Sequence, residues 1–291
     1  MNVADAPVPS GAVAGHGWQS YDSVAADYDR VWRPAFEPVA RDLVELVRLS
    51  AGATVLDVGT GTGVAAIEAV HKVGRDGAVV VNDPSVRMLM VAGSKAPIAL
   101  VAAETPGLPF LARAFHAVLA NLVLSHFDRY EGALIDMVRV LRAGGRLGVT
   151  AWGSLDDEPI DDNAQREFSA IWRAVAERFV DIDADDIEAA IPWEEWFNDP
   201  AHLRGALEGG GLRAVELHAR TYRREVTQRD MLTGYETSFR GRYVRDALDD
   251  TQWQLFRQSV IETAQSALPD PITRVDQLLI AVGTKPFDKH P

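Results

Sequence analysis

Three glycines at alternate positions, Gly59, Gly61 and Gly63, follow an apolar run that contains one acid, Asp57. Glycine has no side chain, so a segment of this kind can bring its backbone N–H groups close to a bound molecule. A helix that begins just after the third glycine, at about Val64, would add the N–H groups of its first turn. The sequence therefore predicts a ligand-binding loop between a strand and a helix. A tight strand-to-helix turn without a ligand is the simpler alternative for such a run.

The spacing around this loop narrows the choice of ligand. A P-loop would end in Gly-Lys-Ser or Gly-Lys-Thr, and this segment does not. In the dinucleotide pattern G-x-G-x-x-G the third glycine stands one residue later, where this chain has Val64. Asp83 ends the next apolar run, 24 residues after Gly59, and a carboxylate placed there can accept hydrogen bonds from both hydroxyls of a ribose. We expect a ligand with a free ribose that is not a nicotinamide dinucleotide.

Five segments, in their order and spacing, resemble the class I S-adenosylmethionine-dependent methyltransferases. They are VLDVGTGTG, VVVNDPSVRML, ETPGLPF, ANLVLSHF and RVLRAGGRLGVTAWG. The resemblance is to the small-molecule branch, with the quinone-biosynthesis and natural-product methyltransferases, and it covers roughly Tyr21 to Trp152. It implies S-adenosyl-L-methionine as cofactor, S-adenosyl-L-homocysteine as product and a Rossmann-like α/β fold. In that fold the sheet is mostly parallel and its last strand is antiparallel.

The resemblance also implies cofactor contacts at individual positions. Asp57 and the three glycines would hold the methionine end of the cofactor, and Asp83 would bind its ribose. The remaining implied contacts come from Pro84, Met88, Glu104, Thr105 and Asn121, with Tyr28 of the first helix closing over the cofactor. Outside this family context, Glu104 would be an exposed loop acid and Asn121 a polar cap at a strand end.

One histidine, His126, lies near the implied methyl donor. A sulfonium methyl group is electrophilic before any enzyme acts, so the protein mainly has to align the nucleophile, the methyl carbon and the sulfur. A base is optional, but a histidine near a phenol or another hydroxyl can take its proton at neutral pH. His126, just past Asn121, is the candidate catalytic residue, and a strand-end cap is its alternative role. His116 follows Phe115 where the family often has Asp, and we expect it to be a capping or surface residue.

The acceptor site should come from segments outside the core. All seven tryptophans lie outside residues 33–151, which suits a small aromatic or isoprenoid-like acceptor held under a lid. Packing of the inserted segments against the sheet would explain any single tryptophan equally well. Tyr21 and Tyr28 are seven residues apart and would share one face of a helix, where one of them could form part of the lid. Among oxygen, nitrogen and carbon acceptors, O-methylation is marginally favoured.

The elements that position these residues alternate between strands and helices, as in a parallel α/β sheet. Strands are predicted at Thr54–Val58, Ala78–Asn82, Ile98–Val101, Ala117–Asn121, Arg146–Ala151, Leu212–Ala219 and Gln277–Thr284. Two helix-like segments, at about 153–200 and 227–267, interrupt this pattern. We interpret them as a helical cap on one methyltransferase domain at 18–291, preceded by a disordered tail at 1–17.

The composition excludes several classes of function. A formal net charge of −13 argues against a nucleic-acid partner, because phosphate binding needs a basic face. The absence of cysteine excludes disulfides, thiolate metal sites and cysteine nucleophiles. The sequence has no apolar run long enough to cross a membrane and no signal-peptide pattern at its start. We expect a cytoplasmic protein with a small-molecule acceptor, no membrane partner and no metal, which could form a homodimer.

Two charged clusters have alternative interpretations. The acidic run at 181–188 is expected to be a solvated face rather than a metal site. Arg240, Arg242 and Arg245 could bind an acidic group of the acceptor, although surface ion pairs with Asp246, Asp249 or Asp250 are the favoured interpretation. Two other functions stay open: a non-methylating reaction assisted by the bound cofactor, and a non-catalytic nucleotide-binding scaffold.

Overall fold

The computed structural model describes residues 21–153, 163–180 and 193–287. The tail predicted at 1–17, the acidic run at 181–188 and part of the first predicted cap segment lie outside these ranges. Within them, a seven-stranded sheet is flanked by helices on both faces.

The sheet is mostly parallel. Its strands are β1 (Thr54–Val58), β2 (Ala78–Asp83), β3 (Ala99–Ala102), β4 (Phe115–Asn121), β5 (Leu141–Trp152), β6 (Arg213–Val226) and β7 (Ile272–Thr284). They lie in the order β3-β2-β1-β4-β5-β7-β6, and β7 runs antiparallel to both of its neighbours. The predicted Rossmann-like class, with an antiparallel last strand, is confirmed. The strand order reverses between β1 and β4, and ligands bind at the carboxyl edge of such a reversal.

Helices cover both faces of the sheet, so the strands are apolar on both sides. In chain order they are α1 (Ala25–Val47), α2 (Val64–Val73), α3 (Val86–Gly93), α4 (Tyr130–Val140), α5 (Asn163–Ala176), α6 (Trp193–Trp196), α7 (Pro200–Gly209), α8 (Gln228–Thr237), α9 (Phe239–Asp246) and α10 (Asp250–Ala267). On β1, Val55 packs with α1 and α2, whereas Leu56 packs with α4 and α7. None of the helices in the described ranges is both long and apolar enough to cross a membrane.

The last two strands are longer than the sequence pattern predicted. Strand β6 was expected to end at Ala219 but continues to Val226, and β7 begins at Ile272 instead of Gln277. Their outer halves, TYRRE and TRVD, are too polar to read as strands in the sequence. Pairing between the two strands keeps them extended, and the register continues to the pair Val226–Ile272.

The outer half of this β6–β7 hairpin supports a helical layer. Helices α5, α8, α9 and α10 surround the ends of the hairpin in an apolar cluster of their own, which includes Phe168, Trp172 and Phe256. Trp152, the last residue of β5, pairs with Leu278, so the part of β7 before Leu278 extends past the carboxyl end of β5. The helical layer therefore stands above the same edge of the sheet as the glycine loop.

Candidate active site

The glycine loop, residues 59–63, connects β1 to α2 with a left-handed backbone at each of its three glycines. Two of them face other parts of the fold: a Cβ on Gly59 would lie 2.2 Å from a methyl carbon of Val123, and a Cβ on Gly63 would lie 2.8 Å from Cβ of Ala92. A Cβ on Gly61 would meet nothing within 4 Å. Bare backbone thus borders open space at this position, which fits a loop that holds a ligand.

Two buried carboxylates contact or adjoin this loop. Asp83 accepts hydrogen bonds from the N–H groups of Gly61 at 2.8 Å and Ser85 at 2.9 Å. Asp57 accepts one from the hydroxyl of Thr60 at 2.6 Å. Burial raises the pKa of Asp57 to about 7 and that of Asp83 to about 6, although these hydrogen bonds favour the ionised forms. Further donors or a positive charge from a ligand would favour ionisation of both acids.

The loop after β3 lies beside Asp83 and is held by the preceding strand. The side-chain amide of Asn82 donates to the carbonyl of Ala103 at 2.8 Å, and the hydroxyl of Thr105 donates to Asn82 Oδ1 at 3.1 Å. Glu104 stands between these two anchored residues and is exposed. The segment that carries Glu104 and Thr105, for which adenine contacts are implied, is therefore held in place close to Asp83.

Pro84 and Met88 lie at the start of α3, directly after Asp83. Pro84 is partly exposed and Met88 is buried. The hydroxyl of Ser85 caps this helix by accepting a hydrogen bond from the N–H of Met88 at 3.2 Å. The cap fixes the direction in which the chain leaves β2.

Asn121 ends β4 next to β5. Its Oδ1 accepts a hydrogen bond from the hydroxyl of Thr150 at 2.7 Å, and the same hydroxyl accepts one from the N–H of Leu122 at 2.8 Å. Leu122 has a positive φ, an uncommon conformation for a branched residue that is often found at functional sites. A single 3₁₀ turn, Leu124–His126, follows and brings His126 to the carboxyl edge of the sheet.

The start of α1 covers the same edge. Tyr21 precedes the helix and Tyr28 lies within its first turns, so the prediction that they share a helical face was wrong. Their rings nevertheless meet edge to face, 5.8 Å apart between centroids. The ring of Tyr21 is also 6.0 Å from that of His126. Burial raises the pKa of Tyr28 far above its usual value, so its phenol stays neutral.

Three polar contacts fasten this part of the chain over the glycine loop. The hydroxyl of Ser85 donates to the carboxylate of Asp22, ahead of α1. Within α1, Asp29 pairs with Lys95, whose Nζ also donates to the carbonyl of Thr62 at 3.0 Å. Lys95 thereby links the helix directly to the loop.

A cavity of about 400 Å³ opens between α1, the end of β5 and the helical layer. One side is an aromatic wall, in which Phe36 lies between Trp32, stacked at 5.3 Å, and Trp152, at 6.2 Å between ring centroids. The lining also has polar residues, Gln165, Glu194, Ser238, Arg240, Arg274 and Asp276, and the guanidinium carbon of Arg274 lies 4.7 Å from the centre of the Trp32 ring. His126 and Tyr28 line the cavity as well. The cavity therefore adjoins both the glycine-loop edge and the helical layer.

The ring of His126 is accessible from this cavity. Its side chain is exposed to the cavity, while the protein atoms packed around it and the nearby charge of Arg242 lower the pKa of His126 to about 4. At neutral pH the imidazole is uncharged and can accept a hydrogen bond or a proton. Arg242 itself is held by Tyr21, whose ring centre lies 3.8 Å from the guanidinium carbon, and by the carbonyl of Thr237.

The contacts of two arginines and of His116 can be compared with the roles predicted for them. Arg245 forms an ion pair with Asp250, as predicted. The surface position expected for Arg242 is wrong, because this residue lies on the buried face of α9. His116 has a capping role, since its Nδ1 accepts a hydrogen bond from the N–H of Thr54 at 2.9 Å.

The tryptophans divide between the cavity and the cores. Of those that the structure describes, Trp32 and Trp152 line the cavity. The others pack elsewhere: Trp172 and Trp253 in the helical layer, Trp193 in the core beside α4, and Trp196 on the ring of His202.

Several cavity residues were not found from the sequence. Phe36 stands four residues after Trp32, a spacing that places both on one face of α1 and could have revealed the aromatic wall. Arg274 and Asp276 alternate along β7 and so face the same side of the strand. This signal was hidden because the outer half of β7 was not recognised as a strand. No group of three or more potential metal-ligating side chains occurs in the part of the chain that the structure describes.

The sheet order, the open glycine loop and the acid at the end of β2 define a Rossmann-like fold of the class that binds an adenosine-containing cofactor. The sequence profile of the family described as "Methyltransferase domain" matches residues 55–145, from β1 into β5. Residues 55–145 therefore form a methyltransferase domain of the class I, S-adenosylmethionine-dependent type, and S-adenosylmethionine is the cofactor of that class.

Curated relatives include proteins that methylate different atoms. Aklanonic acid methyltransferase of a Streptomyces species is 32% identical over 46% of this chain and 63% of its own length. The match thus spans less than two thirds of that relative. The ubiquinone/menaquinone biosynthesis C-methyltransferase of Azotobacter vinelandii is 27% identical over 74% of this chain and 88% of its own. Nocamycin O-methyltransferase of Saccharothrix syringae is 29% identical over 68% and 73%.

Solved structures agree on the fold. A phosphoethanolamine N-methyltransferase of Haemonchus contortus, solved with S-adenosylhomocysteine, superposes with a TM-score of 0.51 at 14% identity. The match covers 93% of this chain and 60% of that one. At this identity the likeness concerns the fold alone.

Proposed function

We propose that this methyltransferase transfers a methyl group to a hydroxyl of a small, largely aromatic metabolite. The observation that carries the proposal is the cavity itself, which is lined by Trp32, Phe36 and Trp152 and has His126 at its boundary with the glycine-loop edge. Its volume of about 400 Å³ is within the range of small-molecule sites. Because the relatives include both an O- and a C-methyltransferase, the choice of oxygen rests on His126.

The proposed cofactor contacts are those implied by the family resemblance. Asp57 and the glycine loop would hold the methionine end, and Asp83 would accept hydrogen bonds from the ribose. The open space beside Gly61 supports this assignment. The other contacts would come from Pro84, Met88, Glu104 and Thr105 around the adenine, and from Asn121 and Tyr28 near the methionine. The helical segments at about 153–200 and 227–267 would act as the cap of a single domain.

When bound, the cofactor supplies an electrophilic methyl group on a sulfonium. His126 would take up the proton of the acceptor hydroxyl at an imidazole nitrogen as the carbon–oxygen bond forms and the carbon–sulfur bond breaks. A pKa of about 4 makes His126 a weak base, but the hydroxyl becomes a far stronger acid once its oxygen is methylated. The depressed pKa also keeps the imidazole uncharged at neutral pH, so it is ready to accept the proton.

A direct test incubates the protein with S-adenosylmethionine that carries a carbon-13 methyl group and a panel of phenols, hydroxyquinones and aromatic polyketides. The proposal expects S-adenosylhomocysteine and a methylated product whose NMR signal is that of a methyl group on oxygen. A signal of a methyl group on carbon would contradict the oxygen assignment. A changed acceptor without S-adenosylhomocysteine would instead support the cofactor-assisted, non-methylating reaction.

Replacing His126 by Ala is expected to lower kcat for a phenolic acceptor about 100-fold or more, because the proton then has no protein acceptor. The Kd of S-adenosylhomocysteine should stay within about twofold, since His126 is proposed to contact the acceptor. The measurements are initial rates and isothermal titration calorimetry. His71→Ala is the matched control, because His71 is exposed on α2 away from the cavity. An unchanged kcat in the His126 variant would contradict the proposed proton transfer.

Cofactor affinity is expected to decrease as the pH is lowered. Between about pH 8 and pH 5, Asp57 becomes protonated near pH 7 and Asp83 near pH 6, and each loses the negative charge that favours hydrogen-bond donors and cations of the ligand. The Kd of S-adenosylhomocysteine should rise at least about tenfold over this range, measured by calorimetry. Asp83→Asn should remove the change near pH 6. A Kd independent of pH in the unsubstituted protein would argue against both carboxylates as ligands.

A further inference from the structure

One acidic residue of the cavity lining, Asp276, is already engaged by cations. Arg274 donates from Nε to both carboxylate oxygens of Asp276, at 2.9 and 3.0 Å. The Nε of Arg224 lies 3.9 Å from the same carboxylate. Asp276 therefore has two cationic neighbours, and its negative charge is balanced within the protein.

Arg240 differs from these residues. It lines the cavity and its side chain is exposed, so it lies at the opening. Within residues 21–153, 163–180 and 193–287, its guanidinium takes part in no hydrogen bond and no ion pair. Burial raises the pKa of Glu194, which lines the same cavity, and the charge of Arg240 opposes that rise. The guanidinium of Arg240, held by no hydrogen bond or ion pair within those residues, is available to a ligand.

The charge of Arg240 contrasts with that of the whole chain. The formal net charge is −13, so the protein as a whole repels anions. A cation beside the aromatic wall of Trp32, Phe36 and Trp152 offers a local attraction for a molecule that is both flat and anionic. A guanidinium can bind a carboxylate through two parallel hydrogen bonds, and stacked rings fix the plane of the ligand.

We infer that the acceptor is an aromatic acid whose ionised carboxylate binds Arg240 at the opening of the cavity while its rings lie against the aromatic wall. The inference rests on the proposed function, because it takes this cavity as the acceptor site. The carboxylate is the anchor and stays unmethylated. The methyl group goes to a hydroxyl of the same molecule: the carbon–sulfur bond breaks, the carbon–oxygen bond forms, and the hydroxyl proton passes to His126.

The test compares an acid with its neutral amide. Rhein, a tricyclic dihydroxyanthraquinone with one carboxylate, and its carboxamide are titrated into the protein saturated with S-adenosylhomocysteine. Binding is followed through tryptophan fluorescence, since Trp32 and Trp152 line the cavity. The unsubstituted protein should bind the acid about tenfold more tightly than the amide, and Arg240→Ala should abolish this difference. Glu194→Gln should strengthen binding of the acid, because it removes the competing carboxylate beside Arg240.

Controls separate this inference from the proposed function. Arg229→Ala removes an exposed arginine of α8 that does not line the cavity, and the preference for the acid should be unchanged. Equal affinity for acid and amide in the unsubstituted protein would overturn the inference. An Arg240→Ala variant whose affinity for the acid and for the amide fell by the same factor would overturn it as well. If neither compound binds while S-adenosylhomocysteine does, the acceptor class is wrong and the donor site stands. Failure of S-adenosylhomocysteine itself to bind would overturn the proposed cofactor site instead.

Discussion

Gly61→Val is expected to weaken the binding of S-adenosylmethionine and S-adenosylhomocysteine at least about 100-fold, measured by isothermal titration calorimetry. A Cβ at this position meets no protein atom within 4 Å, so the valine methyl groups would extend into the space proposed for the methionine end of the cofactor. The obstruction is fixed by the backbone, because a β-branched side chain has few rotamers with which to move aside. The effect should therefore be a loss of affinity rather than a change in rate alone.

The control must reproduce the strain of the substitution without the obstruction. Gly74 follows the other end of α2, also has a positive φ (68°, compared with 54° at Gly61) and also has nothing within 4 Å of a built Cβ. Its ψ of −165° lies in a region that is almost restricted to glycine, so Gly74→Val should lower the Tm at least as much as Gly61→Val. Only Gly61→Val should lose affinity for the cofactor. Equal affinity in the two variants would refute the proposed position of the ligand.

Asp83→Ala is expected to weaken cofactor binding tenfold or more, equivalent to about 1.4 kcal/mol or more. Each carboxylate oxygen accepts one backbone hydrogen bond, from Gly61 or Ser85, and keeps a further lone pair for a ribose hydroxyl. The substitution removes the ribose acceptor and also releases the N–H of Gly61. Calorimetry with S-adenosylhomocysteine measures the combined loss.

Adenosine and 2′-deoxyadenosine separate the two parts of that loss. The unsubstituted protein should prefer adenosine, whereas Asp83→Ala should bind both equally, because the preference depends on the acceptor for the ribose hydroxyl. Asp76→Ala makes the same change of charge at an exposed position before β2 and should bind S-adenosylhomocysteine normally. A preference for adenosine that survives in Asp83→Ala would mean that another group binds the ribose.

The core of the fold was predictable because its signals are local. Strand β1 was predicted with its observed bounds, and β2 and β3 to within one residue at each end. Each is a short apolar run bounded by polar or turn residues, so neighbouring residues suffice to define it. The glycine loop was found for the same reason, since three glycines and two acids within 27 residues carry its geometry.

The contacts around the cavity were less predictable because they join distant parts of the chain. Lys95 bridges Asp29 and the carbonyl of Thr62, and nothing near any of these residues in the sequence indicates that link. Arg242 was interpreted from its acidic neighbours in the sequence, whereas in the fold it meets Tyr21, more than 200 residues away. Such contacts depend on how the helical layer docks, which a pattern within one segment does not encode.

The helical layer and the segment before α1 both cover the site, and they are attached to the sheet in different ways. The helical layer rests on the β6–β7 hairpin, whose strands pair without interruption from Glu216–Val282 to Val226–Ile272 and continue directly into the central sheet. The segment before α1 is held by contacts of single side chains, such as those of Asp22 with Ser85 and of Tyr21 with Arg242. Local opening follows the least cooperative attachment, so this amino-terminal segment is the less costly place to open for exchange of ligands. We therefore expect the helical layer to act as a fixed wall and the exchange of cofactor and product to occur at the amino-terminal side.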